Sequence, residues 1–451
     1  MNLDYDITQP ITPGMLRQIL NQDEILKDLF LELKGLEHYI YQILIDQDRL
    51  KQLLNDNITK FQKEDYLTLS REQIFTLIMM MYFNMIKKNC YSSHNFYLVN
   101  MEKLKNMYRN NSLIYAKLQC IKNYIRFFFL NKNIIGSQLV KFIRNSINEN
   151  EFETLQSQKQ YEIQLDIKLT ESEKNEDHQN STVVDFADEN IGGLTLDEYN
   201  CAQEEILMLV FTEALVCMLF IPPMKQNQAV LIQDLIKYNH YKGYEKSFQF
   251  VPQEINVRSF YNILAIDAKH FSQFENQFLE QNINRELLKS YAGFELAIKN
   301  APRFPISTGR WGCGIFRGDP FLKLLIQLLA FALALKKNQQ KDCQIIINTV
   351  GDKQLYQFGK LLVSILKKDQ FNLAFLTNLI FSLKNKEFSS SDEIISYVNS
   401  FQFNSDSQIE SLNQNQHEVC FNKIKQNCII ILLIVFAIMI GYILYKQMKR
   451  N

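Results

Sequence analysis

The sequence predicts an α/β protein: a mixed sheet flanked by helices, preceded by an N-terminal all-α region and followed by a C-terminal transmembrane helix. Three observations carry that expectation. From Thr182 onward, short runs of β-branched and aliphatic residues (Val183 to Phe186, Val230 to Gln233, Tyr261 to Asp267, Gln344 to Val350) alternate with longer helical patterns, as in a sheet with helices on both faces. Residues 1 to about 150 place apolar side chains at helical spacing, as in Ile74, Leu77, Ile78, Met81 and Tyr82. Cys428 to Tyr445 is rich in Ile and Leu and holds no charged residue.

Taken in order, residues 1–150 read as a helical accessory domain. Ser70 and Gln73 form a capping box within it, the serine serving an orphan N–H and the glutamine reaching back. Around Glu149 to Ser181 the chain turns acidic and polar, broken by Tyr161 to Ile167, which alternates with period two like a half-exposed strand. Lys174 to Ser181 reads as a loop. Residues 151–385 form the α/β domain. Ile206 to Pro222 and Leu324 to Leu335 are read as its buried helices, since the first contains Glu213 and the second is too short to span a bilayer. Residues 386–427, rich in Ser, Asn and Gln, read as a flexible polar tether.

A bilayer core about 30 Å thick needs roughly 20 apolar residues. Residues 428–445 just meet that length, with Lys423 and Lys425 on one side, Lys446, Lys449 and Arg450 on the other, and Tyr442 and Tyr445 near one interface. A single-pass tail anchor in the lipid bilayer is expected. Met1 to Pro10 carries two aspartates and no apolar core, so no secretory signal is expected, and the α/β domain is expected to face the cytosol.

The 451 residues carry 49 basic and 49 acidic side chains, a formal net charge of zero. Such a balance argues against direct nucleic-acid binding, which works through a basic excess or stripe. Eight cysteines show no CxxC pair and no histidine at zinc spacing, which reads as free thiols in a reducing compartment and no metal site.

Two segments carry chemistry. Thr308 to Pro320 holds four of the fourteen glycines and the only tryptophan, and runs into the helix pattern Phe321 to Leu335. Glycines let backbone N–H groups approach a ligand closely, and the following helix start adds unpaired donors and a positive dipole end, a combination suited to phosphate. The second segment is Val184-Asp185-Phe186-Ala187, then Gly192-Gly193, then Gln203-Glu204-Glu205 entering a helix. Successive helical residues lie about 100° apart, so Glu204 and Glu205 are expected to face different atoms.

Together these segments resemble the poly(ADP-ribose) glycohydrolase family, whose signature is a glycine triplet followed by Gln-Glu-Glu; the Trp311-Gly312-Cys313-Gly314-Ile315-Phe316-Arg317-Gly318-Asp319 stretch resembles its second hallmark. Further similarity lies at Tyr238 to Tyr244, Ala265 to Ala268, Arg285-Glu286-Leu287, Tyr291 to Phe294, Thr349 to Asp352 and, more faintly, Leu69 to Ile74. The resemblance implies a macrodomain-like fold and hydrolysis of ribose–ribose O-glycosidic bonds in poly(ADP-ribose), with ADP-ribosylated proteins as partners and no cofactor. By the same resemblance, Glu205 is the general acid, Glu204 holds the adjacent ribose hydroxyls and Asp185 orients the loop and the glutamate. Gly192, Gly193 and the backbone of Gly312, Cys313, Gly314, Ile315 and Phe316 cradle the diphosphate, Tyr244 covers the ligand and Glu171 meets adenine. Gln203 and Asp188 join the substrate-binding set. A raised carboxyl pKa is expected for the proton donor, since burial and a neighbouring carboxylate outweigh a helix start worth roughly 0.3–1 kcal/mol.

The sequence departs from the family pattern at Leu194 (third glycine), Asp188 (Asn), Arg310 (Asn), Val350 (Phe) and Arg317 (Gly). A left-handed backbone at Leu194 would cost about 1–2 kcal/mol, and Arg310 or Arg317 could offer phosphate a fork of donors. A catalytically weakened or inactive ADP-ribose-binding module on a membrane is therefore the alternative reading.

Overall fold

Eight strands build the main sheet of the protein, whose computed structural model describes residues 4–7, 12–89, 101–157, 163–273, 275–367, 372–388 and 390–401. In chain order they are β1 (Tyr66–Ser70), β2 (Leu139–Ser146), β3 (Asp166–Thr170), β4 (Thr182–Ala187), β5 (Gln228–Leu235), β6 (Tyr261–Asp267), β7 (Ile306–Thr308) and β8 (Gln344–Asn348). Across the sheet they run β1-β2-β5-β6-β4-β7-β8-β3. The β6-β4-β7-β8-β3 half is parallel, and the β1-β2-β5-β6 half is antiparallel. Parallel strands all release their chain at the same edge, so the loops after β4, β6, β7, β8 and β3 share that edge, where open α/β sheets bind ligands.

Alternation along each strand assigns its two faces. Ile263 and Ala265 of β6 join Val183 and Ala187 of β4 in one apolar cluster with helices α1 (Arg71–Tyr82) and α2 (Ser112–Ile135). Leu264 and Ile266 point the other way, against Gly293 of α4 (Glu280–Asn300); α3 (Gln203–Val210) precedes α4, and α5 (Pro320–Asn338) and α6 (Lys353–Leu366) follow it. A methyl group on Gly293 would meet Ile266 Cγ2 at 2.6 Å, so that glycine sets how closely α4 approaches the sheet.

The expected capping box at the start of α1 is present: Gln73 N–H donates to Ser70 Oγ and Ser70 N–H to Gln73 Oε1. The expectation of an all-α N-terminal region needs correction, because β1 and β2 extend the main sheet and Asp4–Ile7 pairs with Ile86–Asn89. The signal is local: Leu67 and Leu69, and Val140 and Phe142, are buried alternately with more exposed neighbours, a period-two run too short to stand out among helices. Of the strand expected at Tyr161 to Ile167, Asp166 and Ile167 alone fall in β3, which runs on to Thr170; Tyr161 and Glu162 lie outside the described residues.

The helix expected from Ile206 to Pro222 is interrupted: α3 ends at Val210, and after Phe211 the chain continues as a 3-10 helix at Thr212–Val216 and a short helix at Cys217–Phe220. The Val210 carbonyl is taken by the N–H groups of Tyr238 and Asn239, and the Asn239 side-chain amide donates to Leu209 O at 2.8 Å, so the last turn is capped from outside. Glu213, just beyond, pairs with Arg71 at the start of α1 and accepts from Tyr238 OH at 2.7 Å. Both members of that ion pair are fully buried, joining the helical region to the sheet.

The chain divides into two compact units, residues 1–387 and 388–451. In the second, residues 391–401 are helical, a departure from the expected flexible tether that Ile394 and Val398, at i, i+4 spacing, account for. The expected anchor at 428–445 lies outside the described residues; among those described, no helix is long and apolar enough to cross a membrane.

Candidate active site

Four backbone N–H groups converge on two glutamates where β4 gives way to α3. Glu204 accepts from Asp188 N–H at 3.0 Å and from Gly192 N–H at 2.7 Å. Glu205 accepts from Leu194 N–H at 3.0 Å and reaches back to Ala202 N–H at 2.9 Å. Both side chains are buried. They do not diverge as their helical spacing suggested. A methyl group on Gly193 would meet Glu204 Oε2 at 2.6 Å and Glu205 Oε1 at 2.7 Å, so the two carboxylates flank one residue. Side chains in a first helical turn lean toward the N-terminus, and the loop's donors draw both together. Gly193, with φ +45°, is therefore required twice, by its backbone and by its missing side chain.

Asp185 lies on the face of β4 shared by Val183 and Ala187, fully buried, and neither carboxylate oxygen has a hydrogen-bond partner. Burial, then the Glu205 charge, push its carboxyl well above the usual carboxylate range. Burial, then Asp185 and Glu205, push Glu204 well above as well, against the lowering influence of Asp188 N–H. Three carboxyls thus share a buried pocket in which the protonated form of Asp185 is favoured. Asp185 is expected to orient the loop and the glutamate; among the described residues no hydrogen bond joins its carboxyl to either.

The other expected site residues divide. Gln203 turns its amide onto β4, accepting from Phe186 N–H at 2.9 Å and donating to Val184 O at 3.0 Å, so it fastens α3 to the strand. Asp188 Oδ1 accepts from the Asn190 backbone at 2.9 Å and side chain at 3.2 Å. Tyr244, half exposed, meets the Gln203 backbone N–H at the start of α3 and stands near Glu205. Glu171 follows β3 with its side chain exposed, while its carbonyl accepts from Gly351 N–H after β8. Leu194 is not left-handed; the positive φ values fall at Gly192 and Gly193, so the expected strain is absent. The left-handed positions are instead Arg317 (φ +57°) and Val350 (φ +49°), where side chains bear the strain the family avoids with Gly at the first.

The tryptophan turn leaves β7, the strand beside β4, with Ser307 opposite Val183. Trp311 is fully buried and donates from Nε1 to Ile266 O at 3.0 Å, fixing the turn to the end of β6. Gly318 N–H closes it on Gly312 O at 2.7 Å. Cys313 N–H is spent on Arg310 O at 3.0 Å, whereas among the described residues no hydrogen bond engages the N–H groups of Gly314, Ile315 or Phe316. Asp319 caps α5, accepting from Leu322 N–H at 2.8 Å, with Pro320 in its first turn. Arg310 faces Asp352, and Arg317 is exposed. No group of His, Cys, Asp or Glu among the described residues could hold a metal ion.

Beneath this turn lies a buried ion ladder. Lys289 pairs with Asp267 at 2.6 Å, Arg285 with Asp267 and Glu286, and Lys323 with Glu286. Lys323 also stands 4.0 Å from the Trp311 ring centroid, and a methyl group on Gly312 would come within 3.1 Å of its Nζ. Asp267, Arg285 and Glu286 lie in segments of family similarity, but their pairing with Lys289 and Lys323 did not emerge from the motifs, nor did buried Lys117, which donates to the Leu194, Asp197 and Asn200 carbonyls. Lys117 falls at i+3 or i+4 from buried Leu113, Ile114, Cys120 and Ile121, so the periodicity of α2 already put a cation on its apolar face.

Comparisons with known proteins point one way. A family model described as poly(ADP-ribose) glycohydrolase, macro domain fold, matches residues 152–356, and the model of that enzyme's helical domain matches residues 13–144. Poly(ADP-ribose) glycohydrolase 1 of Caenorhabditis elegans is 31% identical over 244 residues, covering 49% of this chain and 30% of the relative. Probable poly(ADP-ribose) glycohydrolase 2 of Arabidopsis thaliana is 31% identical over 193 residues, covering 33% and 37%. The chain thus spans under two fifths of the length of these curated relatives. A crystal structure of poly(ADP-ribose) glycohydrolase from Deinococcus radiodurans with ADP-ribose aligns at 16% identity, covering 49% of this chain and 95% of that one, with a TM-score of 0.33, too low to carry weight.

Proposed function

The chain belongs to the poly(ADP-ribose) glycohydrolase family, and we propose from that premise that it hydrolyses ribose–ribose O-glycosidic bonds of poly(ADP-ribose) and releases ADP-ribose. The observation that carries the reading is the meeting of Glu204 and Glu205 around Gly193, beside buried Asp185, whose carboxyl is pushed well above the usual range by burial and by Glu205. Glycoside hydrolysis needs an acid for the departing oxygen and negative charge beside an oxocarbenium-like centre. In this reading Glu205 gives its proton to the departing ribose oxygen as the bond to the anomeric carbon breaks. Water then adds to that carbon and returns a proton to Glu205. Glu204 holds the adjacent hydroxyls, and Asp185 keeps the cluster from carrying three charges. The open N–H groups of Gly314, Ile315 and Phe316, at the same sheet edge, suit a diphosphate.

Glu205→Gln removes the acid and keeps the shape. It lowers release of labelled ADP-ribose from polymer by about 10²–10⁴-fold, while ADP-ribose affinity measured by calorimetry stays within threefold. Unchanged turnover would remove Glu205 from the reaction. The second reading, a binding module without turnover, is favoured by Leu194, whose partly exposed side chain stands where the family has a third glycine. In that case the wild-type chain retains polymer label and liberates none. The uncharged segment 428–445 supports a further element, a bilayer tether. Chain ending at residue 427 should then lose the resistance to alkaline extraction from membranes that the full chain shows, and equal extraction of both would refute the tether.

A further inference from the structure

The loop that aligns Glu205 is gripped from outside the α/β domain. Lys117, in the second turn of α2, is fully buried, and its ammonium donates to three backbone carbonyls, Leu194 O at 3.2 Å, Asp197 O at 2.7 Å and Asn200 O at 2.8 Å. A buried ammonium costs several kcal/mol unless its donors are met, and here all three are. What they meet is the segment between Gly193 and Ala202, whose two ends supply the N–H groups that hold Glu205. Leu194 is bound on both sides of its residue, its carbonyl by Lys117 and its N–H by the glutamate. The charged and titratable groups facing Lys117 are Cys201, Glu205 and Asp197, and burial rather than any partner dominates its own lowered pKa. Lys103, also from the helical region, reaches Asp197 at 3.0 Å and Glu198 at 3.3 Å, a second and more exposed hold on the loop.

We propose that Lys117 is a positioning residue for the reaction: the helical region completes the active site by clamping residues 194–200, which fixes Glu205 against Gly193. The proposal rests on the glycohydrolase reading for its kinetic consequence and on geometry alone for the clamp. Lys117→Met keeps the length of the side chain and removes the donors.

In the full chain, Lys117→Met lowers kcat on polymer by about 30–100-fold with KM within threefold. Amide hydrogen exchange accelerates at Leu194 to Ala202 and stays unchanged in β4, β6 and α5. Lys117→Arg, which keeps the cation and several donors, recovers kcat to within tenfold of wild type, and it carries the kinetic test if the Met variant does not fold. A folded Met variant with wild-type kcat, or an Arg variant that folds and binds ADP-ribose yet turns over a hundredfold slower than wild type, overturns the proposal. If the wild-type chain releases no ADP-ribose, the activity reading fails by itself, and the clamp is judged on exchange: acceleration confined to residues 194–202 supports it, and an unchanged pattern overturns it.

Discussion

Asp185 and Asp267 sit near the ends of adjacent strands, β4 and β6, and meet opposite fates. Asp267 looks onto Arg285 and Lys289, and through Glu286 the ladder continues to Lys323. Asp185 is also buried, with no hydrogen-bond partner among the described residues, and its neighbours are two more carboxylates. Burying charge is tolerated when opposite charges meet it, and the ladder under Trp311 obeys that rule. The glutamate cluster breaks it. Such violations concentrate where chemistry is done, because a carboxyl kept protonated near neutral pH is what an acid catalyst needs. One region supports the turn, and the other holds protons.

Breaking the compensated side should cost stability most. Lys323→Met removes one of the two cations that meet Glu286, leaving it Arg285, and lowers unfolding free energy by about 3 kcal/mol, the low end for a broken buried pair, read as a loss in denaturant midpoint; a change under 1 kcal/mol would mean the ladder is not the support described. Neutralising the uncompensated side should do the reverse. An aspartate whose folded pKa is raised keeps its proton where the unfolded chain has released it, so native stability falls as pH rises above about 4. Asp185→Asn escapes that loss. It should be more stable than wild type at pH 7–8, with the gap closing at pH 4; a less stable variant at every pH would show that Asp185 is charged and paired. A smaller gain awaits Val350→Gly, which relieves a β-branched residue at positive φ by about 1–2 kcal/mol, whereas Leu194→Gly relieves nothing. Equal gains at both positions would contradict the backbone assignment.

Much of this was legible in the chain. The strands β4, β6 and β8, the helix α5 and the Ser70 capping box follow from local pattern, and the motifs around Glu205 and Trp311 pointed to the edge where both loops emerge. Local pattern could not show that Glu204 and Glu205 converge, because that depends on loop donors up to 16 residues upstream. Nor could it foresee the end of α3 at Val210, imposed by Tyr238 and Asn239 from beyond β5. The four strands described within residues 1–150 carry apolar runs too brief to stand out from the helices around them. Lys117 and Lys323 were visible as charges on apolar helix faces, yet their partners are backbone and side chains supplied by tertiary contact.

The proposed activity places polymer cleavage at the carboxylate cluster at the end of β4. Labelled poly(ADP-ribose) incubated with the intact wild-type chain and with Glu205→Gln tests it directly. Free labelled ADP-ribose should accumulate with the wild type and slow by at least about 10²-fold with the variant. Equal release by both proteins, or full retention of label by the wild type, would contradict it.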